Sequence, residues 1–233
     1  LQISLLLNCK IFPVTQVMRK TVVNGSNTSG FQRTLLIARD GYIETNEGKV
    51  AIDYVFLEED SARPASPKEN DDPELEDSKI YKLDRLGIPL VEIATGPHMY
   101  SPEQIKEAAL KIGEILRSCN VKRGIGTIRQ DVNISITKGN RVEIKGFQDP
   151  KIMIKTVEQE VKRQKSLIGI RKNLKTNLEN KKDLTEIFKK TKCNLIKKAI
   201  DKGEKVTGIK LNKMKGILIK ELQKEKRLGT DLS

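Results

Sequence analysis

Residues 128–145 alternate apolar and polar side chains on both sides of a short turn, Lys138-Gly139-Asn140. Successive side chains of a strand point to opposite faces, so the alternation predicts an antiparallel hairpin with one apolar and one polar face. The apolar face would carry Ile128, Val132, Ile134, Ile136, Val142 and Ile144. The polar face would carry Arg129, Asp131, Asn133, Arg141, Glu143 and Lys145. A solvated sheet face has this composition too, but such a mixture of charges also suits joint binding of phosphate, metal and carboxylate groups.

Further strands are predicted before the hairpin. Residues 14–60 have the pattern of strands, with reversals at Asn24-Gly25 and Asp40-Gly41. The apolar run Ile88–Thr95 predicts a buried strand. Residues 61–79 are acidic and interrupted by proline, which predicts a mobile surface loop.

Two helices are marked by their N-terminal residues. Ser101 is a natural N-cap, Pro102 suits the first helical position, and Gln104 completes a capping box. Asp149-Pro150 caps a second helix in the same way. Beyond position 174 the chain is rich in lysine and has a helical pattern interrupted by glycine, so we predict a domain boundary between 170 and 180.

The basic charge lies almost wholly in the last third of the chain. Residues 1–150 carry 20 Lys and Arg against 21 Asp and Glu, whereas residues 151–233 carry 24 against 10, a net charge of +14. Such an excess predicts a polyanionic partner that binds this segment, although a solvated lysine-rich surface would have the same composition. With no Trp and 4% aromatic residues, stacking on bases is excluded as the main mode of nucleic-acid binding.

The cysteines and the apolar start of the chain predict a cytoplasmic protein. Cys9, Cys119 and Cys193 are odd in number, far apart and without a CxxC spacing, which is typical of reduced thiols and not of disulfides or a zinc site. The segment Leu1–Leu7 is too short for a membrane span and lacks the features of a signal peptide, and we interpret it as the end of a helix.

Two acidic positions are candidates for metal binding. In the segment ending at Glu58-Glu59-Asp60, an extended chain would place Glu58 and Asp60 on one face and Glu59 on the other. Glu92 is a single carboxylate in an apolar strand, where burial would require a cation, a hydrogen-bonding partner or a proton. An acidic strand end, a buried ion pair or a strand edge facing water would explain the same residues without a metal.

Other nucleotide and nucleophile motifs give weak signals or none. The loop Gly25–Gly30 has a composition that could cradle phosphate through backbone N–H groups, but most such loops are plain turns. The sequence has no GxxxxGK[ST] motif, which excludes a Walker-type nucleotide site. The one histidine, His98, lies in a turn after Gly96-Pro97 and supports no Ser/His or Cys/His arrangement.

Six segments together form a wider pattern: Val17–Lys20, Asn24–Thr34, Phe56–Asp60, Leu83–Thr95, Lys122–Asn133 and Arg141–Gly146. They resemble the family of the archaeal-type glutamyl-tRNA(Gln) amidotransferase E subunit, with the bacterial B subunit as a more distant relative. The resemblance implies an α+β fold: an incomplete cradle domain at residues 1–172, mainly an antiparallel sheet with flanking helices and a core like that of glutamine synthetase. Residues 173–233 would be a basic helical segment that leads into an inserted domain like one in aspartyl-tRNA synthetases.

The resemblance also implies a reaction. ATP and Mg²⁺ would phosphorylate the γ-carboxylate of glutamate carried by tRNA(Gln). Ammonia from an asparaginase-like glutaminase, the family's D subunit, would then displace the phosphate, in a heterodimer or a dimer of heterodimers.

Carried over motif by motif, the resemblance assigns roles to nine residues. The metal ligands would be Glu58 and Glu92. The catalytic residues would be Asp131 as a supporting acid, with Arg129 and Lys145 as partners of phosphoryl oxygens. Contacts with the nucleotide would come from Ser29, Gly30, Gln32 and Arg33.

Departures from the family pattern leave a second hypothesis open. The family's N-terminal strand, which carries a Glu and a His near the metal, would precede Leu1, and His98 stands where an acidic residue is usual. The chain could therefore be a catalytically incomplete RNA-binding fragment or the product of a decayed gene. A small-molecule kinase of the glutamine-synthetase type is disfavoured, because it leaves the basic excess unexplained.

Overall fold

The computed structural model describes residues 1–65, 78–173, 181–210, 216–223 and 226–228. Most of the loop predicted at 61–79 and the last residues of the chain lie outside the described residues. The helices are α1 (Gln2–Leu6), α2 (Pro102–Ser118), α3 (Met153–Asn173), α4 (Thr185–Phe188) and α5 (Asn194–Asp201), and a 3₁₀ turn spans Pro150–Ile152. The strands are β1 (Lys10–Ile11), β2 (Val17–Thr21), β3 (Phe31–Thr45), β4 (Gly48–Glu59), β5 (Arg63–Pro64), β6 (Tyr81–Lys82), β7 (Pro89–Thr95), β8 (Gln130–Ile134), β9 (Val142–Phe147), β10 (Lys182–Asp183), β11 (Thr207–Gly208), β12 (Glu221–Gln223) and β13 (Lys226–Arg227).

The protein is α+β with antiparallel sheets, and it divides into two compact units. The first unit comprises residues 1–130 and 146–154, and the second comprises residues 131–145 and 155–233. The α3 helix ends at Asn173, where the sequence predicts a boundary. The division into a domain at 1–172 and a segment at 173–233 stays a prediction.

The main sheet of the first unit has the strand order β1-β3-β4-β7, with β2 also paired to β3. All these pairs are antiparallel. A hydrophobic core joins this sheet to α1 and α2, and its buried members are Ile3, Leu7, Ala38, Ile43, Val50, Ile52, Val55, Ala108 and Cys119. The sheet therefore has one face anchored by helices, and this fixes which side chains of its strands point away from the core.

The reversal predicted at Asp40-Gly41 is wrong, because β3 continues through both residues to Thr45. Asp40 has a φ of 54°, which distorts the strand without ending it. A side chain at position 41 would collide with Cys9 Sγ and with the Leu7 carbonyl. Gly41 therefore allows the end of α1 to approach the strand. The Asn24-Gly25 reversal between β2 and β3 is confirmed, with a φ of 81° at Gly25.

Both predicted helix starts are confirmed. The Ser101 side chain accepts a hydrogen bond from the Gln104 amide at 3.0 Å. Gln104 Oε1 accepts from the Tyr100 amide at 3.1 Å, so it reaches one residue further back than a standard capping box. Asp149 Oδ1 accepts from the Lys151 amide at 2.8 Å at the start of the 3₁₀ turn. No helix in the described part of the chain has both the length and the apolar run that a membrane crossing requires.

The second unit contains the predicted hairpin. Val132 and Ile134 are buried, and Asp131 and Asn133 are exposed, so the alternation is confirmed. The α3 helix turns Gln164 inward, where Gln164 Nε2 donates to the Ile134 carbonyl at 3.2 Å.

Candidate metal and phosphate site

Glu58 lies near the end of β4, and the strand register sets its neighbours. Glu58 is paired with Thr34 on the neighbouring strand β3 and with Leu90 on the other neighbour, β7. Phe56, two residues earlier on β4, lies opposite Glu92. Directly paired residues share a face of the sheet, and side chains along a strand alternate between the two faces. Glu58 and Glu92 therefore share a face as diagonal neighbours, with their Cα atoms roughly 7–8 Å apart.

The Glu58 side chain is only 10% exposed and is weakly held by its neighbours. It accepts hydrogen bonds from Gln32 Nε2 at 3.4 Å and from Thr34 Oγ1 at 3.3 Å, and Lys20 Nζ lies 3.8 Å from Oε1. These contacts are long compared with the usual 2.7–3.0 Å, so the carboxylate keeps acceptor capacity for a cation or a stronger donor. Lys20 and Thr34 were not among the predicted site residues, although both lie inside resembling segments, because strand pairing is what brings them to Glu58.

The buried strand predicted at Ile88–Thr95 is wrong for its outer residues. Strand β7 ends the sheet in the described part of the chain, and Val91 and Glu92 on it are exposed, whereas Ile93 packs against the core. An exposed carboxylate needs no cation to offset burial, so that argument for Glu92 no longer applies. What favours Glu92 as a metal ligand is its register beside Glu58.

Gln32 and Arg33 point to opposite faces of β3, so the sheet brings only one of them to Glu58. Gln32 is buried, and its Nε2 also donates to the Glu59 carbonyl at 2.6 Å. On the other face, Arg33 Nε donates to Glu59 Oε1 at 2.7 Å, and the Arg33 amide donates to Oε2 at 3.0 Å. These hydrogen bonds lower the pKa of the Glu59 carboxyl below its usual value. These contacts agree with the expectation that Glu58 and Glu59 point to opposite faces of the strand.

The Arg33–Glu59 pair predicts an acid-dependent loss of stability. Because the folded state lowers the pKa of Glu59, the pair stabilises the fold above the carboxyl's unfolded pKa, and that contribution is lost as the pH falls through the lowered folded value. The free energy of unfolding should therefore differ between the wild type and Glu59→Gln by a constant amount near neutral pH, and this difference should shrink below about pH 4. Denaturant titrations over a pH series measure it, and a difference that grows in acid would contradict the assignment.

Ser29 and Gly30 lie in the exposed turn that joins β2 to β3. Ser29 Oγ donates to the Phe31 carbonyl at 2.9 Å, and the Gly30 carbonyl accepts from the Val22 amide at 2.9 Å. Gly30 has a φ of 75°, a conformation that favours glycine. These contacts give both residues a role in closing the turn, and their contact with a nucleotide stays a prediction.

Asp60 follows β4 and faces two arginines. Its side chain is 14% exposed, and its Oδ2 lies 3.7 Å from Arg129 Nη2 and 3.8 Å from Arg85 Nε. The Ser61 amide donates to its Oδ1 at 3.0 Å. Arg129 was among the predicted catalytic residues, whereas Arg85 was missed. The sequence marked Arg85 only through its position inside the resembling segment Leu83–Thr95.

The remaining predicted catalytic residues lie in the second unit. Asp131 on β8 and Lys145 on β9 are both exposed. Lys145 Nζ lies 3.3 Å from Glu143 Oε2, two residues away on the same strand face. The polar face of the hairpin is therefore solvent-accessible within its own unit, as the alternation predicts.

The chemistry of these ligands suits Mg²⁺. In the described stretches of the chain, no group of three or more His, Cys, Asp or Glu side chains could hold a metal ion. A tetrahedral zinc site is therefore not supported by these residues. Mg²⁺ differs, because it keeps several waters and binds through one or two carboxylates together with substrate phosphates. Glu58 and Glu92 as ligands of Mg²⁺ stay a prediction.

Comparisons with known proteins agree on one family. The GatB/GatE catalytic domain model matches residues 1–221. The chain is 50% identical to the glutamyl-tRNA(Gln) amidotransferase E subunit of Methanocaldococcus jannaschii, an alignment that covers 100% of this chain and 37% of the relative. It is 48% identical to the E subunit of Methanothermobacter thermautotrophicus, over 99% of this chain and 36% of the relative. The E subunit of Haloarcula marismortui is 45% identical, over 100% and 37%. The chain thus spans little more than a third of the length of these relatives.

Proposed function

The chain belongs to the GatB/GatE catalytic domain family, and from that premise we propose that the full gene product converts Glu-tRNA(Gln) to Gln-tRNA(Gln) with ATP. The relatives' name, which is that of the E subunit of glutamyl-tRNA(Gln) amidotransferase, states an amide transfer on tRNA-bound glutamate. The observation that carries the proposal to this chain is the register of the main sheet, which sets Glu58 and Glu92 on one face with Gln32 and Thr34.

The reaction is proposed to proceed in two steps. The γ-carboxylate of the glutamyl group attacks the terminal phosphorus of ATP, which gives γ-glutamyl phosphate and ADP. Ammonia then attacks the acyl carbon and releases phosphate, leaving the amide of glutamine. Carboxylates are poor electrophiles, and the acyl phosphate, a mixed anhydride, supplies the leaving group that amide formation needs.

The residues of the main sheet would serve the first step. Glu58 and Glu92 would hold Mg²⁺, which when bound neutralises charge on the phosphoryl oxygens. Gln32 and Thr34 orient the Glu58 carboxylate through their hydrogen bonds. Arg129 is proposed to contact phosphoryl oxygens, and its ion pair with Asp60 would restrict its rotamers beforehand.

Partners and surroundings complete the proposal. The ammonia would come from an asparaginase-like partner in a cytoplasmic heterodimer, and Mg²⁺ and ATP would be the cofactors. The main sheet would form the floor of a cradle with a core like that of glutamine synthetase, whose reaction shares the γ-glutamyl phosphate intermediate.

The test is formation of Gln-tRNA(Gln) by the purified full gene product. Glu-tRNA(Gln), ATP, Mg²⁺ and ammonium chloride are supplied, so the assay needs no partner protein as an ammonia source. We expect product that depends on ATP and on the enzyme. Binding of tRNA without any ATP-dependent product would favour the second candidate, an RNA-binding protein, which the net charge of +14 on residues 151–233 supports.

Asp131 offers a separate prediction for the hairpin. Asp131→Asn should depress formation of γ-glutamyl phosphate by at least tenfold, because a supporting acid loses its charge, about 1.4 kcal/mol or more of transition-state stabilisation. Its exposed position predicts a change in stability within about 0.5 kcal/mol. Isotope exchange between ADP and ATP measures the first effect, and thermal denaturation measures the second. A large loss of stability with normal exchange would instead assign Asp131 a structural role.

A further inference from the structure

Asp60 holds two guanidinium groups at a distance that leaves their N–H groups largely unused. Arg85 Nε and Arg129 Nη2 both lie near the same oxygen, Oδ2, at 3.8 and 3.7 Å. Both distances exceed the range of a hydrogen bond, so each is an ion pair without a direct N–H···O contact.

Arg85 differs from a neighbouring arginine that is fully engaged. Arg63 binds the Asp84 carboxylate through Nε at 3.1 Å to each oxygen and through Nη2 at 2.9 Å. Arg85 Nε is buried and has no hydrogen-bond partner among the described residues. A donor in this state is available to an additional acceptor, which Arg63 does not offer.

The backbone fixes Arg85 next to Asp60. The Asp60 amide donates to the Ile88 carbonyl at 2.7 Å, and the Gly87 amide donates to the Asp60 carbonyl at 3.0 Å. The Ile88 amide in turn donates to the Arg85 carbonyl at 3.1 Å, so a tight turn carries Arg85.

The same backbone contacts indicate the face of the sheet on which Asp60 lies. The Asp60–Ile88 contact continues the pairing of β4 with β7 by one residue beyond Glu59 and Pro89. Extending the alternation of β4 by one residue would place Asp60 on the face of Glu58, the proposed metal ligand.

We propose that Asp60 positions Arg85 and Arg129 as a two-arginine clamp for the phosphoryl oxygens of the nucleotide, with Arg85 as a second phosphate-binding residue. The proposal rests on the proposed function, because it identifies which residues of that site bind the phosphates. The planar guanidinium group presents paired N–H donors that match phosphate oxygens, and Asp60 leaves such donors unused on both arginines. Asp60 does not touch the nucleotide and acts through the two arginines.

The experiment uses the full gene product and two readouts. Binding of inorganic tripolyphosphate is measured by calorimetry, and the KM for ATP is measured in ammonium-dependent amidation. We expect Arg85→Ala and Arg129→Ala each to weaken tripolyphosphate binding by at least about tenfold and to raise the KM for ATP by a similar factor. The reason is that each substitution removes a charge-assisted hydrogen bond to phosphate. Arg85→Lys should recover only part of the affinity, since an ammonium lacks the planar pair of donors. Arg63→Ala is the matched control and should change neither readout.

Asp60 gives a test that opposes simple electrostatics. Asp60→Asn removes a negative charge near the phosphates, so binding should tighten if Asp60 only repels them. A positioning role predicts the reverse, weaker tripolyphosphate binding, with partial recovery in Asp60→Glu. Thermal denaturation identifies variants that fail to fold. If Arg85→Ala or Asp60→Asn does not fold, tripolyphosphate binding by the conservative variants Arg85→Lys and Asp60→Glu tests the proposal in its place.

The outcomes separate this proposal from the proposed function. Amidation with an unchanged KM for ATP in folded Arg85→Ala would overturn the clamp and leave the function intact. Tripolyphosphate binding that depends on Arg85, without any Gln-tRNA(Gln) formed, would overturn the function and leave the clamp intact. A wild-type protein that binds no tripolyphosphate, or an Arg63→Ala variant as defective as Arg85→Ala, would also overturn the clamp.

Discussion

Replacing Glu58 with Gln is expected to reduce ATP-dependent amidation by at least about a hundredfold. Changes to groups that only support metal ligands already cost about 10–100-fold, and Glu58 is proposed as a ligand itself. The substitution keeps the side chain's size, and its oxygen can still accept hydrogen bonds from Gln32 and Thr34, so the fold should persist. Activity is measured as Gln-tRNA(Gln) formed from Glu-tRNA(Gln) with ammonium chloride over a series of Mg²⁺ concentrations. High Mg²⁺ should restore part of the activity, because the loss is one of metal affinity.

The next residue on the strand supplies the matched control. Glu59 lies on the opposite face and binds Arg33, so Glu59→Gln removes the same charge from an adjacent position without altering the face that carries Glu58 and Glu92. We expect it to keep amidation within about threefold of the wild type, since substitutions away from such sites have small effects. Glu92→Gln should behave like Glu58→Gln, with a smaller loss because Glu92 is exposed. Equal activity of Glu58→Gln and Glu59→Gln would contradict the assignment of the metal ligands.

The second large effect concerns RNA binding by the basic segment. The net charge of +14 on residues 151–233 predicts attraction to tRNA that is largely independent of sequence and steeply dependent on salt. Charges more than about 8–10 Å from a phosphate are screened at physiological ionic strength, so the contacts must be local to this segment. The affinity for tRNA should fall with salt, with a log–log slope that grows by about 0.9 for each neutralised phosphate.

Substitution tests this better than truncation. The second compact unit combines residues 131–145 with residues 155–233, so a cut at position 150 would divide it. The exposed lysines Lys197, Lys198 and Lys202, in and just after α5, can be changed to Ala together. We expect the slope to fall by up to about 2.7, or 0.9 for each contact removed.

The control removes the same number of charges from the nearly neutral part of the chain. Lys10, Lys49 and Lys122 are exposed and lie within residues 1–150. Changing these three to Ala should leave the salt slope nearly unchanged in filter binding of tRNA. Equal losses in the two triple variants, or a flat salt response of the wild type, would show that the basic segment is an ordinary solvated surface.

The elements that were predicted correctly depend on neighbours in the sequence. The cap at Ser101 needs only the amide three residues later, and the polar face at Asp131 and Asn133 needs only period-two alternation. The opposite orientation of Glu58 and Glu59 follows from the same alternation. Short-range geometry of this kind is the same wherever the segment lies in the fold.

The errors occurred where a distant contact overrode the local pattern. Asp40-Gly41 has the composition of a turn, but the approach of Cys9 to Gly41 makes it a distortion inside a long strand. The run Ile88–Thr95 looks buried, but it forms the last described strand of the sheet, where part of its apolar surface stays exposed. In both cases the number of elements packed around a segment decided the outcome, and that number is a property of the whole fold.

The sequence by itself determined the family, the approximate positions of most strands and helices, and the alternation of faces in the hairpin and at Glu58–Glu59. Only the tertiary structure decided which faces meet: it set Thr34 opposite Glu58, Phe56 opposite Glu92, and Arg85 beside Asp60. The physical reason is that register depends on burying the core of the whole sheet, with irregularities near positions 36–38 and 52–54, and none of this is encoded in a short stretch of residues.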